Sequence, residues 1–265
     1  MKPFLDLDRR LVIAHRGGAK RCPENTMAAF NDAVSLGVDA IELDIHLSSD
    51  DVPVVIHDAT LERTTNGRGA VADHTVAALS RLDAACHFDG SAPEVFRGQG
   101  WGVPTLESVL RRHTSMSFVV ELKGGTTRLA ERAIEVVRAC DAVERVMFGG
   151  FRLEPLLAIR RSGLPFLTSA AVPEARSALI RALFGAGPRR PGYQLFQTPS
   201  MRRGVRIVSE RFVRVSRQAG LPVQVWVVNE PEEIARLESW GVTGFISDRP
   251  DIAQAVLSGT TRPAP

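Results

Sequence analysis

Two stretches concentrate the chemistry of this chain: His15-Arg16-Gly17-Gly18, followed by Pro23-Glu24-Asn25-Thr26, and Ile41-Glu42-Leu43-Asp44-Ile45-His46, followed by Val54-Val55-Ile56-His57-Asp58. Both put ionisable side chains at or just after the ends of apolar runs. Buried strands that end in acids and bases are how an α/β enzyme presents catalytic groups. The set suits phosphodiester chemistry: carboxylates for a divalent cation, two imidazoles for proton transfer, cationic side chains for phosphate.

Side chains on a strand alternate faces, so Glu42, Asp44 and His46 share one face and Ile41, Leu43 and Ile45 the other. Acids on the inner face of a buried parallel strand are costly unless paired or bound to metal. Glu121 ends a similar run, Phe118-Val119-Val120-Glu121-Leu122-Lys123. Three carboxylates from two strands make a site for Mg²⁺ or Ca²⁺. The competing reading is a solvated or salt-bridged acid cluster. His15 and His57 form the natural proton-transfer pair, because imidazole titrates near neutrality. No HxxxH or CxxC spacing accompanies them, which disfavours zinc. Arg16 and Lys123 would supply positive charge to phosphate, or else bridge to the site carboxylates. Trp226, on a late strand, is placed either to pack against a substrate's carbon skeleton or to join the core.

The elements that must carry these residues follow from periodicity. Apolar runs predict barrel strands near residues 12, 42, 120, 147, 167, 196, 225 and 246, with amphipathic helices in most intervals. Helices are expected after Asn25, ending at Gly37, through Ile134 and Val137, and from Pro231, whose proline and following Glu232 and Glu233 suit a helix start. Only residues 47–52 separate the second strand from the Pro53–His57 run, too few for a parallel crossover, so these two runs form a hairpin. Eight strands alternating with helices predict a TIM (β/α)₈ barrel. A doubly wound sheet is the runner-up and lacks a glycine-rich nucleotide fingerprint. Residues 59–104 are too long for a loop and are read as a small inserted subdomain after the second strand and its hairpin. The expected organisation is one catalytic barrel over residues 1–257 and a disordered tail over 258–265.

The chain has 265 residues, 44% hydrophobic and 24% charged, enough for a core without disulfide staples. Three unpatterned cysteines, Cys22, Cys86 and Cys140, fit a reducing compartment. No segment resembles a secretion signal or a membrane span, so the expected location is the cytoplasm. A net charge of +3 is too small for a nucleic-acid signature. Arg189, Arg190, Arg202, Arg203 and Arg206 cluster in one loop-like stretch. That stretch reads as a solvated loop or as a weak contact with an anionic membrane surface.

The chain resembles the glycerophosphodiester phosphodiesterase family over nearly its whole length. The resemblance is carried by HRGG at 15–18, PENT at 23–26, AIELDIHLSSDDVPVVIHD at 40–58, LERTTNGRG at 61–69, PTLESVL at 104–110, ELK at 121–123, VWVVNEPEE at 225–233 and GVTGFISDRPD at 241–251. It implies a TIM barrel with an inserted subdomain and a divalent metal, Mg²⁺ or Ca²⁺. By motif position, Glu42, Asp44 and Glu121 look like metal ligands, and His15 and His57 like the catalytic pair. Arg16 and Lys123 look like phosphate contacts, with Glu24 and Trp226 as pocket residues; Glu24 would touch the metal or anchor Arg16. The implied substrate is a small glycerophosphodiester, cleaved to glycerol 3-phosphate and an alcohol, with water or the glycerol 2-hydroxyl as nucleophile. Alternatives are phospholipase D-like action on lysophospholipids, or a barrel that binds glycerophosphodiesters without turning them over. Two departures are Gly149-Gly150-Phe151, where the family often has Ser-Ser-Phe, and Trp226-Val227-Val228-Asn229, where it has Trp-Thr-Val-Asn.

Overall fold

The structure is a computed structural model and describes residues 3–188, 192–202 and 204–259. Its strands are β1 (Leu11–Ala14), β2 (Ala40–Leu47), β3 (Pro53–Val55), β4 (Ser117–Leu122), β5 (Val146–Gly149) and β6 (Leu167–Thr168), then β7 (Phe196–Pro199), β8 (Met201–Arg202), β9 (Val205–Arg206), β10 (Val223–Trp226) and β11 (Gly244–Ser247). The helices are α1 (Met27–Leu36), α2 (Val76–Leu79), α3 (Leu106–Arg112), α4 (Thr127–Ala139), α5 (Leu153–Arg161), α6 (Val172–Leu183), α7 (Glu210–Gln218), α8 (Pro231–Ser239) and α9 (Pro250–Leu257).

All eight expected barrel strands are present, in the order β6-β5-β4-β2-β1-β11-β10-β7, each parallel to its neighbours. The ring closes between β6 and β7 through a parallel bridge of Ser169 to Leu195, with Gln194 N donating to Thr168 O at 3.0 Å. This is the TIM-barrel architecture. β3 pairs antiparallel with β2, as the short connection requires. Asp51 takes the left-handed conformation at that turn, and Ser48 N closes it on Val52 O.

Each face of a strand has its own partner. Ile41, Leu43 and Ile45 of β2 pack outward with Phe30, Ala33 and Leu106 of the helices. Leu11, Ile13, Ala40, Val119, Met147 and Ile246 fill the lumen, joined by Phe4 from the 3₁₀ turn before β1. Helix ends follow local chemistry. The Thr26 hydroxyl accepts from Ala29 N at the start of α1, and Gly37, at φ 71°, ends it. Pro231 opens α8 with Glu232 and Glu233 in the first turn, where the helix dipole favours acids.

Within residues 59–104, Leu61, Val71, Leu79 and Ala84 gather with Val54 and Ile56 into a small apolar cluster apart from the barrel core. Of the arginine-rich stretch, Arg189, Arg190 and Arg203 lie outside the described residues. Arg206 lies over the Trp240 ring at 5.8 Å. Ser258 caps α9, and residues 260–265 of the expected tail lie outside the described residues.

The turn after β1 is built on glycine. Gly17 has φ +85°, and a Cβ there would lie 2.7 Å from Ala29 Cβ. Gly17→Ala is therefore expected to cost about 2–4 kcal/mol, through left-handed strain and overpacking against α1, read as a lower urea midpoint with an unchanged slope.

Candidate active site

The carboxyl ends of β1, β2, β4 and β11, four neighbours in the ring, bring the candidate residues to one mouth of the barrel. Asp44 of β2 is the register partner of Glu121 of β4. One oxygen each from Glu42, Asp44 and Glu121 lie within 4.8 Å of one another. Glu42 and Asp44 are buried, at 3% and 0% exposure, so neither acid is a solvated surface group.

Both candidate phosphate cations sit on these acids. Lys123 Nζ is 3.1 Å from Asp44 Oδ1 and 2.8 Å from Glu121 Oε1. Arg16 Nε is 3.3 Å from Asp44 Oδ2, and Arg16 Nη1 donates to Glu24 Oε1 at 2.9 Å. The turn that carries Arg16 is itself tied down, because its backbone N–H donates to Glu42 Oε2 at 3.0 Å. Glu24 also takes two hydrogen bonds of 2.8 Å from Arg63, which reaches back to Asp58. Glu24 therefore anchors Arg16.

Each imidazole carries an acid on Nδ1. His15 Nδ1 lies 2.6 Å from Asp248 Oδ1 and His57 Nδ1 lies 2.5 Å from Asp58 Oδ1. A carboxylate can only accept, so Nδ1 holds the proton in both rings and Nε2 is left for chemistry. His15 Nε2 points toward Glu42, at 3.9 Å. His46, on the same strand face as the acids, places its Nε2 3.0 Å from His57 O, and so fixes the end of the hairpin. Trp226 packs edge-on against Phe151 at 5.8 Å, and Lys123 Nζ lies 5.4 Å from the Phe151 ring centre.

The electrostatics are uneven. Burial pushes the Asp44 carboxyl up, but Lys123 and Arg16 more than offset it and hold it below the usual carboxylate range. Burial also pushes the Glu42 carboxyl up, the Asp44 charge adds to this, and its pKa stands well above the ordinary value. Burial alone would lower the His15 pKa; the Asp248 hydrogen bond and the Glu42 charge outweigh it and raise it. Asp248 is held low once the His15 hydrogen bond overcomes its burial.

Glu42 is thus only partly compensated, by His15 and Lys123, while Asp44 Oδ1 and Glu121 Oε1 share the one Lys123 ammonium. Three carboxylates that converge with all-oxygen donors fit a hard divalent cation.

Three further residues complete the site. Asn25, at φ 56° in the turn before α1, donates through Nδ2 to Asp44 Oδ2 at 2.8 Å. Asp248 follows β11 and holds His15. Asn229 donates to Asp248 Oδ2 at 3.0 Å and accepts from Asp248 N at 2.9 Å and from the Ser247 hydroxyl at 3.0 Å. The signal for Asp248 was its place after the last strand, which a closed barrel sets beside the first.

A closed parallel barrel with acids and two carboxylate-backed imidazoles at the strand carboxyl ends defines a TIM-barrel hydrolase. The model of the glycerophosphoryl diester phosphodiesterase family matches residues 15–252, so the chain belongs to that family and is a phosphoric diester hydrolase. Among its relatives, a Bacillus subtilis glycerophosphodiester phosphodiesterase is 31% identical, covering 97% of this chain and 89% of its own. One from Caldanaerobacter subterraneus is 33% identical, covering 92% and 96%. The crystal structure of glycerophosphodiester phosphodiesterase from Agrobacterium tumefaciens is 28% identical with a TM-score of 0.75, covering 94% of this chain and 100% of that one. An Oleispira antarctica phosphodiesterase, solved with its product sn-glycerol-3-phosphate, has a TM-score of 0.78 at 24% identity and covers 94% and 97%.

Proposed function

We propose that this protein hydrolyses glycerophosphodiesters to glycerol 3-phosphate and an alcohol such as choline or ethanolamine, by metal-dependent, two-histidine acid–base catalysis within one barrel over residues 1–257 that carries 59–104 as an inserted subdomain. The observation that carries this is the convergence of Glu42, Asp44 and Glu121 beside two imidazoles backed by carboxylates. The glycerol 3-phosphate bound to the Oleispira relative supports the product. The three unpaired cysteines support a reducing, cytoplasmic location. Among the described residues, no helix is long and apolar enough to cross a membrane.

Glu42, Asp44 and Glu121 would hold Mg²⁺ or Ca²⁺, which when bound neutralises charge on the phosphodiester as a Lewis acid. Arg16 and Lys123 grip phosphate oxygens, exchanging part of their hold on Asp44 and Glu121 for the substrate. His57 Nε2 accepts the proton of the nucleophile. His15, whose cationic form Asp248 stabilises, gives its Nε2 proton to the departing alcohol. Trp226 flanks the substrate's carbon skeleton.

The test is release of glycerol 3-phosphate from glycerophosphocholine with Mg²⁺, with Ca²⁺ and with EDTA. Release that EDTA abolishes and either metal restores is expected; release undiminished in EDTA would overturn the metal assignment. Asn229→Ala removes the groups that orient Asp248. Its kcat is expected to fall about 10- to 100-fold with little change in KM, as for other residues that orient a catalytic group.

A further inference from the structure

We propose that the outer face of α6 is a docking surface for an anionic lipid bilayer, which holds the protein at a membrane surface without spanning it. α6 is patterned the wrong way round for a helix that faces water. Its inner face is made mainly of small residues: Ala175, Ala178 and Ala182, with Leu179, pack against the core. Its larger apolar residues point out. Val172 is 42% exposed, Ile180 51%, Leu183 68% and the C-cap residue Phe184 83%. At 3.6 residues per turn, Val172, Ile180 and Leu183 return to one side of the helix, and Phe184 extends it. Four of the nine large apolar side chains exposed among the described residues thus belong to this helix and its cap. Scattered exposed apolar residues are ordinary; a contiguous stripe marks a surface that apolar matter covers.

Charge decides what covers it. Residues 175–209 hold seven arginines and no Asp, Glu or Lys, hence a formal +7 in a chain whose total is +3. The single acid of α6, Glu174, is spent on Arg160, at 2.7 and 3.0 Å. Arg176 is exposed on the same side as Val172 and Ile180. α7 packs beside α6, and its Arg211 donates to Leu183 O at 2.8 Å, which sets a guanidinium next to the most exposed apolar pair. Arg214 is exposed on α7 as well, and Glu210 is the one acid of that helix. Apolar side chains flanked by guanidinium groups match a bilayer that contains anionic lipid: the former enter the acyl boundary and the latter meet headgroup phosphates. A second copy of the chain matches poorly, because a two-fold axis would set this arginine-rich face against itself. A nucleic acid would engage the arginines but leave Ile180 and Leu183 without a role. The contact sets where the protein sits and leaves its substrate unchanged, so it does not depend on the phosphodiesterase reading.

The experiment is cosedimentation of the whole chain with vesicles of phosphatidylcholine alone and with about 30% phosphatidylglycerol. Expected is binding at least about tenfold tighter to the anionic vesicles, weakening as salt rises. The double variant Leu183→Ser, Phe184→Ser should lose more than about tenfold of that affinity. Arg176→Glu with Arg214→Glu should lose about fivefold or more per arginine on anionic vesicles and little on neutral ones. Both variants alter exposed side chains, so each should keep the native melting temperature and the native release of glycerol 3-phosphate from glycerophosphocholine without vesicles. Equal binding to both vesicles, or binding that neither variant weakens, overturns the proposal. So does binding to neither vesicle: capture of a DNA duplex would then assign the arginines to nucleic acid, and a dimer in sedimentation velocity that the serine variant abolishes would assign the face to a second copy.

Discussion

His57→Ala will lower kcat about 10³-fold, with KM changed by less than about threefold, and His15→Ala will do the same on natural diesters. Proton transfer by a placed side chain contributes roughly 10²–10⁴ in rate. Neither imidazole makes a described hydrogen bond to another catalytic candidate, so each truncation removes a proton carrier without dismantling the acid cluster. The two losses will not add, because base and acid act in one displacement; the double variant should be about as slow as the slower single one.

The leaving group separates the two roles. An alcohol such as choline departs only when protonated, whereas p-nitrophenolate leaves as the anion. On a glycerophospho-p-nitrophenyl ester, His15→Ala should recover to within about tenfold of the native enzyme, since general-acid help is no longer needed. His57→Ala should stay about 10³-fold down, since the nucleophile still has to lose its proton. Rescue of His57→Ala instead would exchange the two assignments. The geometry favours His57 as base and His15 as acid. His15 lies between Asp248 and Glu42, two acids that stabilise a cation, whereas the Asp58 beside His57 is shared with Arg63.

The barrel was legible because each strand is a short apolar run that must be buried on both faces, and its exceptions were legible for the same reason. Acids at Glu42, Asp44 and Glu121 break that rule, which made them a candidate metal site or a salt-bridged cluster before any contact was known. The hairpin followed from chain length alone. Strand edges were less legible. The strand expected near residue 196 forms its ladder over Phe196–Pro199, and before it the Gln194 side-chain oxygen, in place of a backbone carbonyl, accepts from Thr168 N. Asp248 carried no role in the sequence because Asp-Arg-Pro after a strand also reads as an ordinary helix entry, and α9 does begin at Pro250. Its contact with His15 spans 233 positions and exists only because the last strand of a closed ring pairs with the first. The Asp58–Arg63–Glu24–Arg16 network was hidden similarly: the charges were visible, but not which of them meet.

Glu42→Gln will abolish activity and make the metal-free protein more stable. Near neutral pH the native chain buries Glu42 beside ionised Asp44, while Arg16 and Lys123 are committed mainly to Asp44, Glu24 and Glu121. A carboxyl whose folded pKa stands above its unfolded value costs stability once pH exceeds the unfolded value, and the cost grows as pH rises through the folded one. Glutamine keeps an oxygen for Arg16 N and carries no charge. The variant should therefore gain about 1–3 kcal/mol at pH 8, because each tenfold difference in proton affinity between folded and unfolded chains is worth roughly 1.4 kcal/mol. The gain should vanish near pH 4, where the acid is protonated in both states. Divalent cation reverses the ranking: at 100 times its Kd it stabilises the native protein by about 2.7 kcal/mol, and it should leave the variant nearly unmoved. Thermal melts at the two pH values, with and without Mg²⁺ or Ca²⁺, check all four corners. A destabilised metal-free variant would mean that Glu42 is already compensated in the fold, and that the site does not wait for a cation. The opposite substitution behaves differently: Asp44→Asn removes the acid that Arg16 and Lys123 share and leaves them to Glu24 and Glu121, and should cost about 1–3 kcal/mol. The two neighbouring acids of β2 are thus opposed, Asp44 holding the mouth of the barrel together and Glu42 straining it until a cation arrives.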